Sequence, residues 1–579
     1  MKKSTKVVTL LLSALFAFGS ASSLAACGVV GGKVQSAENE IVVKVRKAGF
    51  GTDWLYTLKR NFETAYKAEG YKVKILTPDN NIKDDVVIKE LALGYQNVGV
   101  DLYITSGVLP DKVGVNGDYG VLVEDLADTV YSQKAINYQG EDEDKTVEEK
   151  MDPNLISYMT DLEGKKYAYC WAETSGGLVV NTTKLEQYGL EIPKTTKEMF
   201  ECFEAIYCGN DKMGNSIKTG TYPITYVSGQ NGYTLTFLHA LIAQYDREYF
   251  DTLWSFQTKG ENGETIQLSD AECQDVYNDE AMYEMLKVAY RTFDMTIAAP
   301  GSQSQTVDQA QAKIMGNNRN GAVFMFNGDW MLNEVKLNYR NYLHNIDFVN
   351  YPVMSSIGTK LFGADTAYGL DEEACDALLS FIVDCVDENM EIDAIIQKVK
   401  AEKDITLAEA DAKEVARARG LTYSRGIEHV AYVTKGTTKM DIVSKFLRMM
   451  SSDDYGETFN VQGNGATPYC AIENTTSEYK FVRNASKVTA NRYFSFVSTI
   501  NGARGYRGLL NFQRFFTTSS HLPFDIASNS RASLYTMDGT KKADANESVY
   551  ADAAKEFQKN EVENIIKNWD KWLENAGLK

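Results

Sequence analysis

The first part of the chain alternates between strand-like and helix-like spacing of its apolar residues. The segment 41–45 (Ile-Val-Val-Lys-Val) is β-branched and partly alternating, which favours a strand. Apolar residues recur at helical spacing over 55–66, and Thr52 or Asp53 is placed to cap that helix. The same patterns predict a strand at 72–76, a helix at 85–95 and a strand at 101–105. This β-α-β-α-β order predicts a parallel sheet with helices on its faces.

The loops that follow these three strands are candidate binding loops. In open parallel sheets, ligands bind beyond the carboxyl ends of the strands. The loops at 49–54, 77–80 and 105–107 contain glycines, which allow close approach to the backbone, and polar side chains. Asp53 and Trp54 are therefore candidate ligand contacts. Helix capping is the competing role for Asp53, and packing in the core of its helix is the competing role for Trp54.

The rest of the chain predicts a second α/β region and a helical insertion. Strands are predicted at 166–169, 178–180, 322–326, 347–351 and 429–433, and helices at 195–206, 234–245, 279–293, 442–450 and 549–573. The segment from Asp371 to Arg419 is highly charged with helical spacing, for which a solvated helical surface is the default explanation.

The N-terminal sequence is typical of export. Lys2, Lys3 and Lys6 precede an apolar run, the pattern of a removable signal segment. The run ends in Leu24-Ala25-Ala26-Cys27, which resembles the lipobox of bacterial lipoproteins and predicts that Cys27 is acylated. The alternative is a plain secretory peptide with an incidental Cys27. The glycine-rich and polar residues that follow predict a flexible tether over 27–40.

Composition narrows the classes of function. The net charge is −19, and removal of residues 1–26 takes away three lysines and no acids, giving −22. Such an acidic chain argues against nucleic acid as a partner. The sequence contains no HExxH, GxSxG or Walker-type motif, and we expect no cofactor, no metal and no catalytic residues. The seven cysteines after Cys27 are expected to be mostly buried small hydrophobes, with one or two disulfides possible.

Several segments together resemble a known family. Residues 172–195 contain a strand ending in Asn181, a short helix, a Gly-Leu turn and a Pro-Lys-Thr helix entry. Residues 321–330 run from a strand into Asn327-Gly328-Asp329-Trp330, and 437–452, 465–468 and 569–573 add further similar segments. In this order, behind a lipobox, they resemble the family 1 extracellular solute-binding proteins of ABC importers.

The resemblance implies an α/β, two-lobed periplasmic-binding-protein type II fold, with a hinge and a cleft that closes on the ligand. The implied segments are a signal peptide 1–26, a lipidated tether 27–40, lobe 1 at 41–165 and 426–480, lobe 2 at 166–370 and 481–579, and a helical charged insertion at 371–425. The predicted ligand-binding residues, taken from the strand-end loops and the resemblance together, are Asp53, Trp54, Trp171, Glu173, Tyr226, Asn327, Asp329 and Trp330. For most of these residues, packing in the core or capping of a helix is the alternative role.

The resemblance also implies a function and its partners. The expected ligand is a small solute, a mono- or oligosaccharide, because aromatic rings stack on sugar C–H faces and polar groups bind the hydroxyls. The expected partners are the permease subunits and the membrane, through lipid at Cys27 on its extracytoplasmic face, and the chain is expected to be a monomer. A peptide or polyamine receptor on the same fold, a surface glycoside hydrolase and an adhesive lipoprotein are the alternatives.

Overall fold

The computed structural model divides the chain into two compact units. Unit 1 comprises 1–172, 426–456 and 468–470, and unit 2 comprises 173–425, 457–467 and 471–579. The structure describes residues 33–46, 49–77, 83–106, 113, 121–151, 153–160, 163–209, 220–227, 232–316, 321–424, 429–470, 475–490, 496–497 and 533–575.

Helices and strands alternate along most of the described chain. The strands are β1 (Glu40–Val45), β2 (Lys72–Leu76), β3 (Leu102–Ile104), β4 (Lys134–Ile136), β5 (Asp142–Thr146), β6 (Tyr169–Cys170), β7 (Gly176–Asn181), β8 (Thr221–Ile224), β9 (Gln257–Lys259), β10 (Thr265–Gln267), β11 (Gly321–Gly328), β12 (Ile346–Val349), β13 (Tyr423–Ser424), β14 (Val430–Val433) and β15 (Phe496–Val497). The α-helices are α1 (Asp53–Ala65), α2 (Asp84–Leu93), α3 (Tyr95–Val98), α4 (Pro153–Met159), α5 (Thr182–Tyr188), α6 (Thr196–Cys208), α7 (Gly232–Tyr245), α8 (Arg247–Ser255), α9 (Asp270–Gln274), α10 (Glu280–Thr292), α11 (Val307–Met315), α12 (Met331–Val335), α13 (Ser355–Phe362), α14 (Glu372–Asp387), α15 (Ile392–Lys403), α16 (Glu409–Gly420), α17 (Met440–Met449), α18 (Asp453–Gly463), α19 (Lys480–Ala490) and α20 (Ser548–Asn575).

Unit 1 is built on a five-stranded sheet in the order β2-β1-β3-β14-β6. The first three strands are parallel, as their β-α-β-α-β order predicts. The fourth, β14, returns from late in the chain and pairs antiparallel with both β3 and β6. The apolar face of α1, with Leu55, Leu58 and Phe62, is fully buried. The spacing that predicted this helix thus also identified its buried face.

Unit 2 has a four-stranded sheet in the order β12-β7-β11-β8. β7 and β11 are buried along their whole length and pair antiparallel, so their continuous apolar composition reflects cover on both faces. Asn181 at the end of β7 caps α5: its side chain accepts the N–H of Lys184 at 2.9 Å and donates to the Ile314 carbonyl at 2.7 Å. The predicted fold class, an α/β chain of two lobes, is confirmed, while the hinge and cleft remain predictions.

The charged segment from 371 to 425 is helical, as predicted, and consists largely of α14, α15 and α16. Its apolar residues, among them Leu378, Ile382 and Val415, belong to the same buried cluster as the helices around the unit 2 sheet. Arg419 joins this segment to the body of the unit, because its guanidinium pairs with Asp387 and donates to the Tyr351 carbonyl. The segment therefore shares a core with unit 2 and does not form a separate one.

The observed unit boundaries differ from the predicted lobe boundaries. Unit 1 extends to Ala172 and not to 165, because β6 pairs with β14 in the unit 1 sheet. Most of the segment 457–480 belongs to unit 2, where the backbone N–H of Glu173 donates to Ala466 at 2.8 Å. The composition of these segments carries no signal for such long-range pairing.

Of the predicted N-terminal tether, residues 27–40, the structure describes only the part from residue 33. Residues 1–32, which include the predicted signal segment and Cys27, lie outside the described residues. From residue 33 the chain contacts unit 1, since Val34 donates to the Val98 carbonyl at 3.0 Å and the Lys33 ammonium lies over the Tyr95 ring. Among the described residues, no helix combines the length and apolarity needed to cross a membrane.

All seven cysteines after Cys27 lie within the described residues, and none of them forms a disulfide. Cys170, Cys202, Cys273, Cys375 and Cys385 are buried. They fill small apolar positions, which was the main interpretation of their sequence pattern.

Candidate functional site

Two of the predicted ligand-binding tryptophans lie in the core of unit 1. Trp54 and Trp171 are fully buried and stack on each other at a centroid distance of 5.4 Å. The indole N–H of Trp171 donates to the Thr105 carbonyl at 2.7 Å, and that of Trp54 donates to the Gly51 carbonyl at 3.1 Å. Phe50 adds an edge contact to Trp171. The structure therefore favours the core alternative for Trp54, and it places Trp171 in the same cluster.

Asp53 and Tyr226 also occupy positions with a structural role. Asp53 is exposed in the first turn of α1, where a carboxylate stabilises the positive end of the helix dipole. Tyr226 is buried with its ring edge-on to Phe293, and burial raises the pKa of its hydroxyl above the usual value. Helix-terminus stabilisation and core packing, the competing roles at these positions, explain both residues without a ligand.

The remaining predicted residues meet at one end of the unit 2 sheet. In the antiparallel register of β7 and β11, Gly328 is opposite Gly176 and Asn327 is opposite Gly177. The Asp329 N–H donates to the Ser175 carbonyl at 3.0 Å, which continues this pairing one step past the strands. We call the segments 173–176 and 327–330 together the β7–β11 end.

Asp329 is the most electrostatically perturbed group of the β7–β11 end. It is only 2% exposed, and its Oδ1 atom has no hydrogen-bond partner within the described part of the chain. Burial holds the pKa of this carboxyl well above its usual range, and the nearby charge of Glu173 raises it further. Hydrogen bonds from the backbone N–H groups of Ser175 and Trp330 offset part of that rise. Burial therefore disfavours the charged form of this carboxyl.

The next residue, Trp330, packs its aromatic ring on the backbone of Gly328. Its six-membered ring lies against the Cα of Gly328, because a methyl group at Gly328 would come within 2.0–2.3 Å of three ring carbons. The side chain is partly exposed, in contrast to Trp54 and Trp171. Of the three candidate tryptophans, Trp330 is the one with surface available to a partner.

The other groups of the β7–β11 end are buried and polar. Glu173 is 5% exposed and forms an isolated antiparallel bridge with Ala466. Asn327 is buried, and its side chain accepts the N–H of Gly328, a local bond that fixes the turn out of β11. Thr174 is fully buried, and its hydroxyl has no hydrogen-bond partner among the described residues.

This arrangement has the chemistry of a hydrogen-bonding site with an aromatic wall. Buried polar atoms in native proteins nearly always have partners, so the Oδ1 of Asp329 and the hydroxyl of Thr174 mark a place where a polar partner is expected. The described residues contain no group of three or more His, Cys, Asp or Glu side chains arranged to hold a metal ion.

The helix after Trp330 is held in place by its own contacts. In α12, the side chain of Asn333 donates to the carbonyl of Gly463, and the side chain of Asn464 donates to Asn333 at 2.7 Å. These bonds link the residues after β11 to the loop that carries Ala466, which pairs with Glu173. The loop therefore supports both segments of the β7–β11 end.

A separate groove of about 1130 Å³ lies among α6, α10 and α13 of unit 2. None of the predicted ligand-binding residues lines it. Its cations have internal partners: Arg291 pairs with Glu547 at 2.9 Å, Lys197 with Glu201 at 2.6 Å and Lys287 with Glu284 at 2.6 Å. The groove also contains side-chain oxygens without a hydrogen-bond partner among the described residues, at Ser356 and Asp376, but its lining includes no tryptophan. We prefer the β7–β11 end because it combines such atoms with the partly exposed side chain of Trp330.

The roles of Thr174 and Gly328 could not be predicted from the sequence. Both lie in segments that resemble the solute-binding family, but the role of each depends on the register of β7 against β11. The strand-to-Asn-Gly pattern could have indicated Gly328, because glycine between a strand and a tryptophan permits a ring to lie on the backbone.

Neither a family model nor a curated protein matches this chain. Solved structures that resemble it include apo RafE from Streptococcus pneumoniae, with 13% identity, 91% of this chain and 100% of that chain covered, and a TM-score of 0.49. A probable secreted solute-binding lipoprotein from Streptomyces coelicolor has 14% identity, coverage of 91% and 100%, and a TM-score of 0.49. A chitin oligosaccharide binding protein has 10% identity, coverage of 91% and 100%, and a TM-score of 0.48. At these identities and TM-scores, the likenesses assign neither family membership nor a ligand to this chain.

Proposed function

We propose that this chain is an exported, lipid-anchored solute-binding protein that captures a mono- or oligosaccharide and delivers it to an ABC importer. The observation that carries the proposal is the β7–β11 end, which combines buried polar atoms that have no partner among the described residues with the partly exposed side chain of Trp330. The motif order of the sequence and the division into two α/β units support it.

The chemistry of the β7–β11 end suits a sugar. A pyranose offers apolar C–H faces that stack on an indole and hydroxyls that both donate and accept hydrogen bonds. The Oδ1 of Asp329, which has no partner among the described residues, can accept a hydrogen bond from a hydroxyl. Placed in a water-excluded site, such bonds are stronger than in water.

Lipid anchoring and delivery to a permease follow from the sequence. The lipobox at Cys27 would place two or more acyl chains on the mature N-terminus, which is sufficient for durable anchoring. A receptor held at the outer face of the membrane keeps its captured solute next to the permease. The ligand would stabilise the conformation that contacts it best, and the permease would recognise that conformation.

A thermal-shift screen of the mature chain against mono- and oligosaccharides tests the binding proposal. A ligand at a hundredfold its dissociation constant stabilises a fold by about 2.7 kcal/mol, a readily measured shift in Tm. We expect at least one sugar to raise the Tm in a saturable way. At the same ligand concentration, the Trp330→Ala variant should reduce that stabilisation to about half, whereas Tyr56→Ala, at an exposed position of unit 1, should keep it.

Incubation with the same sugars separates the receptor from a surface glycoside hydrolase. The one observation in favour of a hydrolase is the pair of nearby carboxyls, Glu173 and Asp329, one with a raised pKa. A receptor leaves the sugar intact after prolonged incubation. Release of shorter products that is lost in Asp329→Asn would favour the enzyme, and absence of saturable binding to any small solute would favour an adhesive role.

A further inference from the structure

The first described residues of the chain are bound to unit 1 beside α3. The Val34 N–H donates to the Val98 carbonyl at 3.0 Å, and the Lys33 ammonium lies 5.5 Å from the centroid of the Tyr95 ring. Gly99 permits this contact, because its φ of +67° favours glycine and a methyl group there would lie 2.2 Å from the Val34 carbonyl oxygen. Residue 33 is therefore fixed on the surface of unit 1.

The residues that follow are held as well. The Lys439 ammonium donates to the Ser36 hydroxyl at 2.6 Å and to the Glu40 carbonyl at 2.5 Å. The Lys74 ammonium donates to the Gln35 carbonyl at 3.1 Å. These bonds fix the chain up to the start of β1, so the segment 33–40 adds no free length to the predicted tether.

The free part of the predicted tether is short. Five residues separate Cys27 from Lys33, and an extended chain spans at most about 3.3–3.6 Å per residue, so Lys33 lies within about 20 Å of an acylated Cys27. A folded unit of about 170 residues, the size of unit 1, is roughly 40 Å across. A tether of this length cannot bring the side of unit 1 opposite α3 to the bilayer.

The surface around residue 33 is free of acidic side chains. We call its exposed residues the α3 face: Lys33, Leu93, Gln96, Asn97 and Lys435. The Lys435 carbonyl accepts the Tyr95 N–H at 3.4 Å, and the Asn97 side chain donates to the Leu93 carbonyl at 2.6 Å, which places these residues together. Glu124 borders the face, and its carboxylate accepts the Gly436 N–H at 2.6 Å. The α3 face thus carries two cations in a chain with 79 acidic and 60 basic residues.

We propose that the α3 face of unit 1 rests on the surface of an anionic lipid bilayer and is held there by the acylated Cys27. This inference rests on the lipid anchoring in the proposed function and specifies which surface of the protein the membrane contacts. Lysines attract anionic headgroups within about 10 Å, the Debye length at 0.1 M salt, whereas acidic surfaces are repelled. The apolar side chain of Leu93, which is 52% exposed, can enter the boundary between headgroups and acyl chains.

The other side of the same sheet supplies an internal control. The crossovers β1-α1-β2 and β2-α2-β3 run in opposite directions across the strand order β2-β1-β3. Because such connections are right-handed, α1 and α2 cover opposite faces of the sheet, and α3 follows α2 in the second crossover. Tyr56 is exposed on α1, and Asn97 is exposed on α3.

Energy transfer from single dye positions to an acceptor lipid compares the distances of these two sides from the bilayer. The full chain is expressed in a bacterial host that acylates lipobox cysteines and is reconstituted into vesicles of phosphatidylcholine and phosphatidylglycerol. The donor is attached at Asn97→Cys or Tyr56→Cys in a parent with Cys208→Ser and Cys470→Ser, the two of the seven cysteines after Cys27 that are not buried. We expect transfer from position 97 to be at least twofold more efficient than from position 56. Equal transfer, or stronger transfer from position 56, overturns the proposal.

Charge reversal tests the contact with headgroups. Lys33→Glu combined with Lys435→Glu should reduce the difference in transfer between positions 97 and 56 by at least half in these vesicles. Arg60→Glu combined with Lys67→Glu is the matched control, because both residues are exposed at α1 and its C-terminal end and the net charge changes equally. The control should leave the difference unchanged. An unchanged difference in the α3-face variant, shown to be folded by circular dichroism, overturns the contact with headgroups.

Failure of this proposal is distinguishable from failure of the proposed function. A vesicle-bound chain with equal transfer from both positions keeps its lipid anchor and contradicts only the assignment of the α3 face. A full chain that does not remain with the vesicles contradicts both the lipid anchoring and the assigned face. Sugar binding is measured separately on the mature chain in solution, so neither result changes the test of solute capture.

Discussion

Replacing Gly328 with alanine should displace the ring of Trp330 while the fold remains intact. The added Cβ would lie 2.0 Å from Cζ3, 2.1 Å from Cη2 and 2.3 Å from Cε3 of the indole. Carbon atoms in favourable contact are about 3.5–4.0 Å apart, so the ring must move away by roughly 1.5 Å or more. Gly328 is the last residue of a strand, and an alanine fits that backbone conformation.

The size of the effect follows from what the ring contributes to binding. An aromatic contact is worth about 0.5–1.5 kcal/mol beyond the area it buries, and about 1.4 kcal/mol corresponds to tenfold in Kd. We therefore expect Gly328→Ala to weaken solute binding about tenfold, close to the loss caused by Trp330→Ala. Calorimetric titration measures both losses, and urea unfolding shows whether stability is affected separately.

A double-mutant cycle decides whether Gly328 acts through Trp330. In a chain that already carries Trp330→Ala, the additional Gly328→Ala change should weaken binding less than twofold. Wild-type affinity in folded Gly328→Ala would refute the argument that this glycine positions the ring. So would losses that add fully in the double variant, because the two residues would then act independently.

Three further predictions concern other parts of the chain. Trp54→Ala should lower the free energy of unfolding by about 3–5 kcal/mol in urea, because it leaves a cavity against Trp171; an unchanged midpoint would contradict a core role. Burial raises the pKa of the Glu334 carboxyl to about 7, although a hydrogen bond with Gln311 lowers it in part. In the unfolded chain the pKa of this carboxyl is near 4.5. The native state therefore holds a proton that the unfolded chain releases, and stability should fall as pH rises from about 4.5 to about 7. Glu334→Gln should flatten that dependence in urea unfolding at a series of pH values, and an unchanged slope would contradict the assignment. Cys27→Ala should move the protein from the membrane fraction to the medium or the soluble extracytoplasmic fraction, and continued membrane retention would rule out lipid at Cys27 as the only anchor.

Elements with strong local signals could be predicted from the sequence. The helix at Thr196–Cys208 begins after Thr195, whose side chain accepts the Glu198 N–H, and its predicted apolar face is buried. In a capping box the Glu198 carboxylate would also accept the N–H of Thr195. Here it accepts the N–H of Lys194 instead. Periodicity and caps are local properties, so they identify elements without knowledge of the fold.

The binding residues were harder to predict because burial depends on contacts with distant segments. Trp54 and Trp330 both follow a strand in a loop that contains glycine, so this local pattern does not separate them, and only the resemblance to the solute-binding family favours Trp330. In the structure, Trp171 and Tyr455 enclose Trp54, whereas Trp330 remains partly exposed on Gly328. Which of the two tryptophans can contact a solute depends on the strand register, and the sequence patterns do not specify that register.

The acidic pair shows the same limit. Asp329 and Glu173 were both predicted as ligand-binding residues, but their relation to each other was not. Only the pairing of Asp329 with Ser175 places Glu173 nearby, where its charge adds to the larger effect of burial in raising the pKa of the Asp329 carboxyl. The functional interpretation therefore depends on tertiary register more than on the presence of the two acids.

A crystal structure of the mature chain with a solute found by the thermal-shift screen tests the account most directly. It should show the solute in contact with the ring of Trp330 and hydrogen-bonded to the Oδ1 of Asp329. A solute bound elsewhere, for instance in the groove lined by Lys197 and Arg291, with both groups of the β7–β11 end untouched, would contradict the account.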